Sequence, residues 1–212
     1  WRLGPDVADL GYSVVAPDLR GHGASPHGED YRLESYRDDV LALGGDWDLV
    51  IGHSQGGAVA TLCQLADSGF ARRLVLLDPV VDIADPEDAL EWLMEPFLVP
   101  ITEAQIAAGH PRWHPEDVAF KVRALLATSP EVLEMTIRQN HRPFDGSITD
   151  LDVPTLLVGA DPEVDALVSK ERGEAMAAAN PLVEYVIIPG AGHSLHRDDY
   201  LVLWAAIEPF IL

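Results

Sequence analysis

The sequence is short of cysteine, of basic residues and of long apolar runs, and each shortage excludes something. A single cysteine, Cys63, rules out an internal disulfide. It lies in Ala60-Thr61-Leu62-Cys63-Gln64-Leu65, the pattern of a buried helix face, so its expected role is packing rather than catalysis. No cluster of cysteines and histidines suggests zinc, and no metal or cofactor is expected. Lys and Arg together number 14 against 35 Asp and Glu, a formal net charge of −21. A chain this acidic repels phosphate backbones, which argues against nucleic acid as a partner. The acids are scattered among apolar residues, unlike a disordered acidic tail, and read as solubilising. No apolar run reaches the roughly 18 residues of a membrane span. The start of the chain also lacks the charged-then-apolar pattern of a signal peptide. The expected setting is cytoplasmic, with no membrane partner.

What is present is enough apolar residue, 48% of 212, to bury a substantial core in one domain with an inserted subdomain. Short β-branched apolar runs recur at Tyr12–Ala16, Leu49–Ile51, Leu74–Leu77, Thr155–Val158 and Val183–Ile188. Their continuous apolarity predicts strands buried on both faces of a parallel sheet. Helical patterns alternate with them at Leu33–Leu43, Gln55–Ser68, Ser169–Ala179 and Asp198–Phe210. That alternation predicts an α/β fold with a mainly parallel sheet flanked by helices. Residues 81–150 interrupt it, with no convincing strand and several helix starts, at Asp85-Pro86-Glu87-Asp88, Pro115-Glu116-Asp117 and Ser129-Pro130-Glu131. The expected organisation is a core of residues 1–80 and 151–212 carrying a helical cap or lid at 81–150.

The chemistry concentrates in Leu49-Val50-Ile51-Gly52-His53-Ser54-Gln55-Gly56-Gly57. Gly-x-Ser-x-Gly between a strand and a helix places the serine on a strained turn, with Gly52 and Gly56 expected to leave room for the crossing backbone. Ser54 is the candidate nucleophile, and the N–H of Gln55, in the first helical turn, the candidate oxyanion donor. A serine hydroxyl needs a base to take its proton. Of eight histidines, His193 follows a strand in the glycine-rich loop Pro189-Gly190-Ala191-Gly192-His193, at the sheet edge where sites in parallel sheets form. His196 is its neighbouring rival. His22 and His53 flank turns near the same edge, where a structural hydrogen bond or a place in the substrate pocket is open to each. His110 and His114 are spaced as a metal pair, but Pro111 and Pro115 argue against one. Two strand ends offer a carboxylate to orient the histidine, Asp161 after Leu156–Ala160 and Asp78 after Val75–Leu77. Asp161 is preferred and Asp78 is the alternative. Trp92, Phe97, Trp113 and Phe120 are candidates for an apolar acyl pocket, against a plain core reading.

Taken together these residues resemble the α/β-hydrolase superfamily, in its cap-bearing branch. Pro17-Asp18-Leu19-Arg20-Gly21-His22-Gly23-Ala24-Ser25 looks like the loop after the family's fourth strand. Gly52–Gly57 is similar to the nucleophile elbow, Val153–Asp161 to the acid-bearing strand, and Pro189–His193 to the histidine loop. The resemblance spans essentially the whole chain. It implies an intracellular, cofactor-free hydrolase with the helical insertion as its lid. Serine rather than aspartate at position 54 argues against epoxide hydrolases and haloalkane dehalogenases, which the family builds on a carboxylate nucleophile.

Two departures stand out. In many relatives the acid lies three residues after the strand-ending glycine, whereas Asp161 lies two after Gly159. The family's first three strands also have no counterpart here, and the chain opens on Trp1 with one helical segment, Leu3–Leu10, before Tyr12. The third of those strands normally sits between the Tyr12 and Leu49 strands and leads to a second oxyanion donor. The expectation is therefore a fragment, or a sheet paired differently. The expected function is hydrolysis of an ester or related acyl bond in a small apolar substrate by Ser54, His193 and Asp161 through an acyl-enzyme. Carbon–carbon bond hydrolysis by the same residues, and a non-catalytic ligand binder or inactive fragment, are the rivals.

Overall fold

A computed structural model describes residues 1–83, 85–141 and 146–212. Helix α1 covers Leu3–Asp9 and α2 Leu33–Leu41, followed by strand β1 (Val50–His53), α3 (Gln55–Ala66) and β2 (Leu74–Leu77). A run of helices comes next: α4 (Pro86–Met94), a 3-10 turn (Glu95–Phe97), α5 (Glu103–Gly109), α6 (Pro115–Leu126), α7 (Pro130–Gln139) and α8 (Gly146–Thr149). The chain then forms β3 (Thr155–Gly159), α9 (Lys170–Ala179), β4 (Val183–Ile187), α10 (Leu195–Asp198) and α11 (Tyr200–Ile211).

The strands make one parallel sheet in the order β1-β2-β3-β4, with Ile51, Val75, Leu156 and Glu184 in register across it. All of β2 and β3 is buried. These inner strands match the continuous apolar runs that predicted them, because both of their faces are covered. β4 exposes Glu184, as an end strand does. Helices α3 and α9 each join a strand to its next parallel neighbour in the same direction. Right-handed crossovers therefore put them on one face of the sheet. Helix α11 buries Leu203, Ile207 and Ile211, a stripe at helical spacing. Cys63 is fully buried in α3 and its thiol donates to the Arg37 carbonyl at 3.6 Å, a packing role.

Tyr12–Ala16 is not a strand. Val14 and Val15 are exposed, and among the described residues no ladder pairs with them. A β-branched run becomes a strand only when a neighbour takes up its backbone groups. β1 accordingly ends the sheet.

Chain contacts divide the molecule into two compact units, Leu33–Ala84 with Arg142–Leu212, and Trp1–Arg32 with Asp85–His141. The first holds the whole sheet. The second joins the opening residues, which the sequence reading placed with the sheet, to the helices of the insertion. Its bonds show why. Trp1 Nε1 donates to buried Asp117 at 2.7 Å, and Arg2 pairs with the same carboxylate. Tyr31 N–H donates to the Gln139 side chain at 2.7 Å, and Asn140 Nδ2 to the Tyr31 carbonyl at 2.8 Å. The three expected helix starts are present. Asp85 caps α4 by accepting from Glu87 N–H at 2.9 Å, and each of α4, α6 and α7 has proline in its first turn. The Ser129 hydroxyl bonds the Glu131 carboxylate instead of a backbone amide. Among the described residues no helix is long and apolar enough to cross a membrane.

Candidate active site

A single residue, Ser54, separates the end of β1 from the start of α3, and it takes φ 54°, ψ −123°. That conformation is costly for a residue with a Cβ, about 1–3 kcal/mol. Two glycines make it possible. A Cβ at Gly52 would lie 2.5 Å from the Gly56 carbonyl oxygen, and one at Gly57 would lie 2.7 Å from the Pro79 ring. A Cβ at Gly56 would meet nothing within 4 Å. The close approach therefore requires Gly52 and Gly57, and Gly56 matters only as the backbone that Gly52 faces. The elbow is tied to the next strand end, since Ser54 N–H donates to Leu77 at 3.0 Å and Val80 N–H to the Ser54 carbonyl at 3.1 Å.

His193 bridges two of these strand ends. Its Nδ1 lies 2.7 Å from Asp78 Oδ2 and its Nε2 lies 3.0 Å from Ser54 Oγ. With Nδ1–H donating to the carboxylate, the Nε2 lone pair faces the serine hydroxyl. Asp78 is fully buried, and its remaining acceptor capacity is met by Val168 N–H at 3.1 Å and Leu167 N–H at 3.0 Å. A buried carboxylate persists only when hydrogen-bonded in this way. Gln55 opens α3, where the first-turn amides point out of the helix.

Asp161, the preferred acid of the sequence reading, lies elsewhere. Its Oδ2 accepts from Gly190 N–H at 2.7 Å and its Oδ1 from Glu163 N–H at 2.9 Å, while its own N–H donates to the Ala191 carbonyl at 2.7 Å. The Gly190 bond first, then the Glu163 bond, hold its carboxyl below the usual range. Asp161 thus braces the histidine loop, and Asp198 does the same one turn on, accepting from Gly192 N–H at 2.8 Å. Two sequence signals point to Asp78, its place just past the Val75–Leu77 run and the irregular spacing of Asp161 after Gly159.

The other histidines divide sharply. His53 Nε2–H donates to the His193 carbonyl at 2.8 Å, and its ring lies 4.6 Å from the His193 ring and 4.8 Å from that of His196. Burial pushes His53 down to about 4, with the neighbouring His193 acting in the same sense. His196 is likewise pushed well below its ordinary value, by burial and then by His53. His22 Nδ1–H donates to the Arg20 carbonyl at 3.0 Å. His110 stacks on Trp113 at 3.8 Å, while His114 caps α6 by accepting from Glu116 N–H at 3.2 Å, so each has a local task. Among the described residues no group of His, Cys, Asp and Glu is placed to hold a metal ion.

Of the four aromatics considered for the pocket, Trp113 is buried in a cluster with Ile106, Val118 and Leu125, and Phe97 packs against it. Phe120 is partly exposed with the Arg123 guanidinium 4.4 Å above its ring, and Trp92 is exposed.

A family model described as "Alpha/beta hydrolase family" matches residues 1–206. The chain belongs to the alpha/beta hydrolase family. Among curated relatives it is 26% identical to the sn-1-specific diacylglycerol lipase ABHD11 of Danio rerio, over 97% of this chain and 71% of the relative. Among solved structures it is similar to a thermophilic esterase from Thermogutta terrifontis, with TM-score 0.68 and 25% identity over 92% of this chain and 78% of that one. The fold also matches E-2-(acetamidomethylene)succinate hydrolase, with TM-score 0.74 and 22% identity over 91% and 79% of the two chains. In this alpha/beta hydrolase, then, Ser54 stands at a strand-to-helix elbow within hydrogen-bond reach of a histidine whose other ring nitrogen meets a buried carboxylate.

Proposed function

We propose that this chain hydrolyses a carboxylic ester of a small molecule, with Ser54 as nucleophile, His193 as general base and acid, and Asp78 as the carboxylate that orients His193. The observation that carries the reading is the relay from Asp78 Oδ2 through both His193 nitrogens to Ser54 Oγ, at 2.7 and 3.0 Å. His193 Nε2 takes the hydroxyl proton as Ser54 Oγ attacks the ester carbonyl. The Gln55 N–H donates to the developing oxyanion, helped by the N-terminal field of α3. Collapse expels the alcohol, which leaves with the proton from His193. Water then repeats the sequence on the acyl-enzyme and releases the acid and Ser54. Asp78 stays ionised throughout and stabilises the imidazolium. The lipase and esterase names among the relatives support an ester as substrate.

The test is turnover of short p-nitrophenyl esters with labelling by a fluorophosphonate. The native chain should turn over and label at Ser54, and Ser54→Ala should do neither, with a rate loss of several powers of ten. Unchanged turnover in Ser54→Ala would overturn the assignment. A native chain that neither labels nor turns over would support the non-catalytic reading.

A further inference from the structure

His53 occupies the variable position of the elbow motif, and motif chemistry gives it no task. The structure does. It is the last residue of β1, directly before Ser54, and its Nε2–H reaches across to the main-chain carbonyl of His193 at 2.8 Å. Ser54 and His193 come from segments far apart in the chain, joined here by the Ser54–His193 side-chain contact and by this bond from the adjacent residue. Asp161 and Asp198 brace the histidine loop through Gly190 and Gly192, on the approach side. The His53 bond instead falls on the main chain of His193 itself.

We propose that His53 is a positioning residue that fixes the His193 main chain relative to Ser54, so that the imidazole meets the nucleophile without searching. The inference rests on the Ser54–His193 reading above. The donor must be neutral as well as well placed. A positive charge 4.6 Å from the His193 ring would repel the imidazolium that forms as Ser54 attacks. Burial, and after it the neighbouring His193, keep His53 uncharged at neutral pH. A lysine or arginine could make the same bond only at that electrostatic cost.

Two substitutions separate the bond from the ring. His53→Gln keeps an N–H donor without the aromatic face, and His53→Phe keeps the ring and its packing without the donor. Small misplacement of a reacting group costs about a hundredfold, so His53→Phe should lower kcat by about ten- to a hundredfold. KM should stay within about twofold, because the bond does not touch substrate, and fluorophosphonate labelling of Ser54 should slow by the same factor as kcat. His53→Gln should recover kcat to within about fivefold of the native value, since a neutral hydrogen bond of similar reach is restored. Thermal melting of each variant reports folding, and His53→Leu replaces His53→Phe if the latter does not fold. A donorless variant that folds and keeps native kcat would overturn the proposal. So would a His53→Gln variant as impaired as His53→Phe, because the ring rather than the bond would then matter. Ser54→Ala run alongside keeps the two ideas apart. If it retains activity the nucleophile reading fails, whereas an inactive Ser54→Ala beside a fully active His53→Phe sinks the positioning role alone.

Discussion

Ser54 and Asp78 end adjacent parallel strands in the same way. Each stands one residue past its strand, each continues the ladder by donating its N–H to the neighbouring strand, to Leu77 and Val158, and each holds a positive φ, 54° and 38°. The Ser54 and Asp78 side chains, which hydrogen-bond the His193 ring, are therefore both carried on left-handed backbone at the carboxyl edge of the sheet. Strain at both positions is held by the ladder beneath them.

That strain is measurable. Ser54→Gly should melt higher than Ser54→Ala, by about 1 kcal/mol in stability, because glycine takes the positive φ without a Cβ penalty. Both should be inactive. Equal melting of the two variants would show that the elbow stores no strain at this residue.

The glycines of the elbow should differ from one another. Gly52→Ala and Gly57→Ala each force a Cβ to within 2.5 and 2.7 Å of existing atoms, and should fold poorly or lose activity. Gly56→Ala meets nothing and sits in a helix, so it should raise stability by up to about 1 kcal/mol. Urea or thermal unfolding of the three variants ranks them.

The two aspartates should separate by rate. Asp78→Asn keeps the shape but no longer favours the Nδ1–H tautomer, and kcat should fall by about 10⁴. Asp161→Asn keeps an oxygen that can accept from one of its two backbone amides, so it loosens the histidine loop and should cost less than about tenfold. Steady-state kinetics on both variants decides it, and the reverse ranking would move the orienting role to Asp161.

Acid should destabilise the protein through His53. Its folded value of about 4 lies below the unfolded value of about 6.5, so the unfolded chain binds more protons between them. Stability is complete above about pH 6.5 and is lost as pH falls toward 4, by up to about 3 kcal/mol from this residue. Denaturant midpoints at pH 7 and pH 5 should differ less in His53→Gln than in the native chain.

Local chemistry was enough to place several elements from the sequence. Leu74–Leu77 is a strand with the expected bounds, and the Leu49 strand shifts only to Val50–His53. Apolar continuity, proline in a first helical turn and Gly-x-Ser-x-Gly before a helix are near-neighbour signals, and they survive folding wherever the rest of the chain agrees. The same signals put Ser54 at the elbow and His193 in its loop, because strand-to-loop transitions can be read from adjacent residues. Tertiary structure decided the rest. Tyr12–Ala16 has a strand's composition but no ladder partner, and pairing is a property of two segments. Asp78 and Asp161 are alike in sequence, each an acid just past a buried strand. Only the strand order, with β2 between β1 and β3, sets Asp78 beside Ser54, and only the path of the histidine loop gives Asp161 to Gly190 instead of to the imidazole. A carboxylate's partner is chosen by distances across the fold, over more than a hundred residues of chain between Asp78 and His193, and no local pattern encodes them.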